Sequence, residues 1–268
     1  MTAAPSSPPP SPAALLAWYL QAGVDEAVGE QPVNRYAPPA TRSAEPRSAE
    51  SGSVGAAPPP APRQPAQAAA SSAHLAMDCS SLAELRAALE AYDGCALKRG
   101  CQRTVFGDGN PEASVMLIGE APGADEDRLG LPFVGVSGRL LDRMLASIGL
   151  DRNSAYITNV VPWRPPGNRK PEPAEVELCL PFIQRHIELV APSLLVLLGG
   201  AATAALLARQ DPISRLRGRW ADYSSPRLAS PLPAMPTYHP AYLLRTPDHK
   251  KEAWRDFLAI RKRLDGKA

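Results

Sequence analysis

The chain has 268 residues, with 31 prolines, 4 cysteines, 44% apolar residues and a formal net charge of +2. No apolar run approaches the ~20 residues of a membrane span, no basic segment precedes the short stretch Ala13–Ala17 to make a secretory signal, and four cysteines in so long a chain build no disulfide scaffold. Membrane and disulfide-rich secreted classes are thereby excluded, and a cytoplasmic setting is expected.

Proline is distributed unevenly, 14 of the 31 falling before residue 75. The composition therefore predicts a leader over 1–30, a disordered Pro/Ala/Ser-rich linker over 31–77 and one globular domain over 78–268. Within the domain, residues 78–159 carry 8 Lys/Arg against 12 Asp/Glu, and residues 160–268 carry 17 against 10. One face could meet a polyanion, although ordinary scatter of surface charge gives the same counts.

In the leader, Pro12–Ala22 reads as three helical turns, with Ser11 as N-cap and Gly23 as stop. Leu15, Leu16, Tyr19 and Leu20 share a face. So short a helix is marginal alone, so it docks on the domain or on a partner protein. Order resumes near Cys79. Ser81 and Glu84 form a capping-box signature ahead of Leu82, Leu85, Leu89 and Tyr92 at helical spacing. A buried strand over 114–119 ends in glycine. Ser137 opens a helix with Leu140, Leu141, Met144, Leu145 and Ile148 inward, and a strand follows over 155–161. Pro173 starts the next helix, Leu194–Leu198 is a third strand before an alanine-rich helix, a strand over 234–238 reaches His239-Pro240, and a last helix covers 248–264. Apolar strands alternating with amphipathic helices predict an α/β fold, a three-layer αβα arrangement around a central, mostly parallel four-stranded sheet. In such sheets chemistry sits beyond the carboxyl ends of the strands.

Four segments fall there. Gly119-Glu120-Ala121-Pro122-Gly123 runs into Asp125-Glu126-Asp127. Its carboxylates repel phosphate, and it is neither a dinucleotide fingerprint nor a Walker loop; a solvated acidic loop has the same pattern. Phe133, between Pro132 and Gly135, can stack on a flat ligand, or fill the core beneath a loop. Asn159 at a strand end presents one donor and one acceptor, suited to a base edge or to loop backbone. His239 precedes proline, which holds its backbone extended. Tyr242, Leu243 and Leu244 beside Arg245 suit a wedge entering a base stack next to a phosphate contact.

Taken together with Thr158-Asn159-Val160-Val161, Arg164-Pro165-Pro166-Gly167-Asn168-Arg169 and His239 to Arg245, these segments resemble, in order, the family 4 and related family 5 uracil-DNA glycosylases over about residues 93–264. The resemblance implies an enzyme of base excision repair that flips uracil out of DNA and hydrolyses its N-glycosidic bond, leaving an abasic site. It implies uracil binding by Phe133, Asn159 and Ala121. It also implies catalysis by His239, with the carboxylates Glu120, Glu126 and Asp127 nearby, and DNA contacts by Arg164, Arg169, Tyr242, Leu243, Leu244 and Arg245. DNA is the implied partner, the protein a monomer at the nucleoid, and wider deaminated-base specificity stays open.

Family 4 enzymes generally hold a [4Fe–4S] cluster on four cysteines. Cys95 and Cys179 match two of those positions, while Tyr92 and Trp163 stand in the others. Neither replaces a thiolate, so no metal cofactor is expected; were a cluster held, Cys95 and Cys179 would be its ligands. The expected picture is an apolar plug of Tyr92 and Trp163 where the cluster would sit, with Cys95 and Cys179 as neighbouring buried thiols. With no lysine in the motifs to form a Schiff base, and Lys170 the nearest, the enzyme reads as monofunctional. Two rivals remain: a covalent trap for abasic sites, which a His-free segment from Pro162 to Pro173 argues against, and a catalytically silent DNA-binding relative.

Overall fold

The computed structural model describes residues 65–266; the leader helix expected over Pro12–Ala22 and most of the linker lie outside them. In chain order the elements are helices α1 (Pro65–Asp78) and α2 (Leu82–Ala91), strands β1 (Asp108–Gly109) and β2 (Val115–Gly119), helices α3 (Ala124–Leu129) and α4 (Val136–Ala146), strand β3 (Tyr156–Asn159) and helix α5 (Pro173–Val190). Strand β4 (Leu194–Leu198), helices α6 (Gly200–Leu207) and α7 (Ile213–Leu216), strands β5 (Ala221–Tyr223) and β6 (Leu232–Thr237), and helices α8 (Pro240–Arg245) and α9 (Lys250–Leu264) complete it.

The sheet has six strands in the order β1-β3-β2-β4-β6-β5. Its middle four, β3-β2-β4-β6, are parallel as expected. The expectation of a four-stranded sheet is corrected at both edges, where β1 and β5 add antiparallel strands. Two or three residues are too few to show a period-2 pattern in sequence.

Both faces of the parallel strands are buried, and their side chains alternate between them. Met116, Ile118, Leu195 and Leu197 face Leu85 and Leu89 of α2 and Phe182, Ile183 and Ile187 of α5. Val115, Leu117, Leu194, Val196 and Leu198 face Leu141 and Leu145 of α4 and Phe257 and Ile260 of α9. The result is three layers, and the uninterrupted apolar runs of β2 and β4 are what burial on both faces requires.

The domain boundary expected at residue 78 is corrected by α1, which occupies 65–78 and packs against α5. Its Ala/Ser/Gln composition reads as low complexity, yet alanine has the highest helix propensity, and small residues let helices approach closely. Ser72 and Ala76 are fully buried there, and Arg185 of α5 donates to the Cys79 carbonyl at 2.9 Å.

Beneath α5, His186 is buried, stacked on Phe106 at 4.2 Å and bonded to the Tyr156 hydroxyl at 2.9 Å. Burial, with Arg86 adding to it, pushes its pKa down to about 3. Below the ordinary value near 6.5, the unfolded chain therefore takes up a proton that the folded one refuses. Stability should fall as pH drops from about 6.5 toward 3, with His186 contributing at most about 1.4 kcal/mol per pH unit. Urea unfolding at pH 7 and pH 4.5 reads this, and a His186→Phe variant should show a shallower dependence; equal slopes in the two proteins would refute it.

Candidate active site

The carboxyl ends of β2, β3 and β6 open into a pocket of about 490 Å3, whose lining includes Glu120, Ala121, Phe133, Asn159, Lys170, His239, Tyr242 and Arg245. Parallel register places Gly119, at the end of β2, directly beside Asn159 at the end of β3. A Cβ on Gly119 would lie 2.4 Å from Asn159 Oδ1 and 2.6 Å from Phe133 Cζ. Only glycine lets the amide and the ring come this close to the strand. Asn159 is buried, and its Oδ1 has no hydrogen-bond partner. A buried acceptor left open costs about 1–3 kcal/mol, so the site holds an acceptor ready for a donor from outside.

Phe133 is also buried, and its backbone is left-handed at φ 54°, a conformation that costs an aromatic residue on the order of 1–3 kcal/mol. Two groups that sequence reasoning missed hold it there. Arg152 donates from Nη2 to the Phe133 carbonyl and from Nη1 to the Pro132 carbonyl at 3.1 Å, while its guanidinium pairs with Asp108 at 2.6 Å and Asp142 at 2.9 Å. Gly138 in α4 leaves the room: a Cβ there would lie 1.7 Å from the Phe133 oxygen. A glycine inside a helical pattern is a signal of close backbone approach, so Gly138 could have been found; Arg152, in a polar turn, carries no local signal.

The three acidic candidates separate by environment. Asp127 is buried and does not line the pocket; its Oδ1 accepts from the backbone N–H of Gln102 at 2.7 Å and of Arg103 at 3.2 Å. Glu126 reaches the pocket but accepts from the N–H groups of Gly123 at 3.0 Å and of Val134 and Gly135 at 2.9 Å each. It ties the loop after β2 to the loop carrying Phe133 through three backbone N–H groups. Both expected acidic residues are thus engaged by backbone N–H groups of neighbouring loops. Glu120 differs: its carboxylate lines the pocket and has no hydrogen bond from the protein. Burial raises its pKa, against the opposing charge of Lys170.

His239 caps the N-terminus of α8, its Nδ1 accepting from the Ala241 N–H at 3.1 Å. Its ring centroid lies 5.5 Å from that of Phe133. Burial, and secondarily the charge of Arg245, push its pKa down to about 4, with Glu126 opposing. At neutral pH the ring is uncharged, and because Nδ1 accepts, the proton sits on Nε2. Gly199, at φ 98°, brings the end of β4 against this residue: a Cβ there would lie 3.1 Å from that of His239.

Around the rim, Tyr242 lines the pocket and packs on Tyr238 and His249, and Leu244 is exposed. Leu243 is corrected from the expected wedge, being 1% exposed and packed with Tyr238 and Ala253. On a helix, only part of a three-residue apolar run can face outward. Arg169, also at the rim, pairs with Glu175 at 2.6 Å. Arg164 donates to Asn168 Oδ1 at 2.7 Å, and Arg245 is exposed beside the pocket without a carboxylate partner among the described residues.

Where the cysteines gather, Cys95 and Cys179 are both buried, and neither is in a disulfide. The two thiols interact, Cys179 holding the pKa of Cys95 down while Cys95 raises that of Cys179. Tyr92 and Trp163 stack at 6.4 Å, Tyr92 meets Phe182 at 5.3 Å, and the Trp163 indole donates to Thr104 at 3.1 Å. Two thiols with a phenol and an indole do not fit a four-thiolate cluster. Among the described residues no group of three or more His, Cys, Asp or Glu could hold a metal ion, and no helix is long and apolar enough to cross a membrane.

A model of the uracil DNA glycosylase superfamily matches residues 106–258. The chain is 42% identical over 170 residues to the type-4 uracil-DNA glycosylase of Archaeoglobus fulgidus, covering 62% of this chain and 84% of that protein. It is 39% identical over 178 residues to the type-4 enzyme of Saccharolobus solfataricus, covering 65% and 82%. The type-5 uracil-DNA glycosylase of Thermus thermophilus is 36% identical over 121 residues, covering 40% and 55%.

The geometry at His239 predicts its titration. In 15N-labelled protein, the imidazole should be neutral with its proton on Nε2 from pH 8 to pH 5 and titrate at about 4. A midpoint near 6.5, or a proton on Nδ1, would show that the cap and burial do not govern this ring.

Proposed function

The chain belongs to the uracil DNA glycosylase superfamily, and from that premise we propose that it binds uracil flipped out of DNA and hydrolyses the N-glycosidic bond, leaving an abasic site for base excision repair. The observation that carries the reading is the unfilled acceptor of Asn159, buried beside the strained Phe133 ring and the neutral imidazole of His239.

In this reading Phe133 stacks on the extruded base, and Asn159 Oδ1 accepts from N3–H of uracil, a donor that cytosine lacks. Ala121 lines the wall. As the N1–C1′ bond breaks, its electron pair moves into the uracil ring, and charge accumulates on O2. The Nε2–H of His239 donates to that oxygen, stabilising the anionic leaving group without giving up its proton. Glu120 is the acidic candidate at the pocket that accepts no hydrogen bond from the protein. It stabilises the cationic sugar and orients a water, taking a proton as the water oxygen bonds C1′. Glu126 and Asp127 serve as positioning residues through their backbone bonds. Leu244 and Tyr242 fill the gap left by the base, while Arg245 and Lys170 contact phosphates. A basic catalytic domain on DNA fits a monomeric protein at the nucleoid, and the His-free segment from Pro162 to Pro173 argues against a covalent trap.

A uracil-containing oligonucleotide, incubated with the protein and then treated with alkali, should be cut at the uracil. Intact strands would sink the glycosylase reading, and a DNA adduct that survives SDS would favour the trap. His239→Ala should slow excision by on the order of 10²–10³-fold, as removal of one transition-state donor does. The acid limb of the wild-type pH–rate profile should lie above the ordinary carboxylate value, because burial raises Glu120. Glu120→Gln should be slow, with its remaining limb moved down to about 4, where His239 takes a proton. An unmoved limb would remove Glu120 from the mechanism.

The reading also includes a clusterless enzyme, in which the Tyr92–Trp163 stack and the Cys95–Cys179 pair fill the space as a packed apolar plug. Protein purified anaerobically should contain no stoichiometric iron and no absorbance near ~400 nm. Four irons per chain would overturn it.

A further inference from the structure

A second groove, of about 550 Å3, runs between α9 and the segment from α7 to the start of β5. Four arginines and one carboxylate line it: Arg215, Arg217, Arg219, Arg255 and Asp256. The single carboxylate is already neutralised. Asp256, 2% exposed, accepts from two nitrogens of Arg217, one at 2.9 Å, and from the Thr237 hydroxyl at 2.7 Å. The Arg217 guanidinium also donates to the Glu252 carbonyl at 2.7 Å. This pair forms the groove's uncharged floor.

The remaining arginines are different. Arg215, Arg219 and Arg255 are exposed, and no carboxylate of the described residues pairs with any of them. Other arginines of the chain, such as Arg152, Arg169, Arg185 and Arg261, are each neutralised by a carboxylate. Three unpaired guanidinium groups along one groove repel one another unless anions come from outside. Their planar forks match phosphate oxygens better than they match chloride or a lone carboxylate. No aromatic ring lines the groove, so a base has nothing to stack on there, which favours backbone phosphates over a nucleotide.

The groove is also held at the functional end of the sheet. Gly218 donates to the Pro236 carbonyl at 3.0 Å, and Thr237, bonded to Asp256, lies two residues before His239. At φ 70° Gly218 is pressed so close that a Cβ would lie 2.7 Å from Asp256 Oδ1. The arginines thus stand on a rigid floor fastened to the strand that presents the catalytic histidine.

We propose that this groove is a second DNA-binding surface, in which Arg215, Arg219 and Arg255 hold backbone phosphates of the DNA away from the excised nucleotide. The inference rests on the glycosylase reading, which supplies DNA as the polyanion. The test compares the wild type with a triple Arg215→Gln, Arg219→Gln, Arg255→Gln variant, using a long uracil-containing duplex and a five-nucleotide uracil oligomer as probes. Each phosphate deprived of its arginine should lower the slope of log Kd against log[NaCl] by about 0.9, so the variant's slope on the duplex should fall by about 2.7. KM on the duplex should rise at least about tenfold at physiological salt, with kcat unchanged. Excision from the oligomer, which carries few phosphates beyond the uracil nucleotide, should keep its wild-type kcat and KM. An unchanged salt slope in a variant of wild-type melting temperature would overturn the proposal, as would equal impairment on oligomer and duplex. Competition by inorganic phosphate equal to that of uracil-free duplex would also overturn it, by making the groove a phosphate site. If the wild type cuts neither substrate, the glycosylase reading itself has failed.

Discussion

The pocket depends on a side chain that is missing. Four parallel strands end side by side, and at the end of β2 a glycine leaves the space into which the Asn159 amide and the Phe133 ring both lean. A methyl group at Gly119 would overlap both at once. Strand register and steric access are therefore one constraint: the pairing that makes the sheet places Asn159 beside Gly119, and the absent Cβ turns that neighbour into a binding edge.

From that constraint follows the need for rigid loops. A ring stacked against a ligand is useful only where its plane is fixed, and Phe133 is fixed in a backbone state it would not choose alone. The force comes from groups that never meet a substrate. Arg152 collects two carbonyls of the loop and two carboxylates behind it, and Glu126 gathers three backbone N–H groups from two loops. Each is bonded within the scaffold. Glu120, by contrast, sits in the same pocket and accepts no hydrogen bond from the protein. Three nearby carboxylates thus divide into two that build and one that can react, a division set by hydrogen bonding and burial rather than by residue type.

The same division marks the limit of what the chain reveals without coordinates. Buried strands, capping residues and helical stripes locate the parallel core. Phe133, Asn159 and His239 are readable because an aromatic between proline and glycine, an amide at a strand end and a histidine before proline each break the surrounding pattern. The acidic residues are not separable, since nothing in Glu120-Ala121-Pro122-Gly123-Ala124-Asp125-Glu126-Asp127 says which carboxylate faces backbone N–H groups twenty-five residues away. Leu243 escapes for a related reason: Tyr242-Leu243-Leu244 is one apolar run in sequence, but α8 turns its middle residue into the core. The helix over 65–78 is hidden because alanine and serine occur in helices and linkers alike, and only packing on α5 decides between them.

Electrostatics place a further demand on the site. A glycosylase must attract a polyanion and yet leave its catalytic imidazole uncharged. Those demands conflict if the imidazole is solvated among phosphates, because nearby negative charge raises a histidine pKa. Here the two are kept apart by depth. The exposed arginines, Arg245 at the rim and the cluster lining the second groove, meet solvent, whereas His239 is held inside by the cap on Ala241 and the close approach of Gly199. Arg245 then does two things with one charge: it offers a phosphate contact and lowers the pKa of the neighbouring ring. With Nδ1 committed to the Ala241 N–H, the ring offers one donor in one direction, and a neutral donor beside a developing anion strengthens as the bond breaks instead of binding the substrate tightly beforehand. The basic surface can therefore be as strong as DNA binding requires without charging the imidazole proposed to face the leaving base.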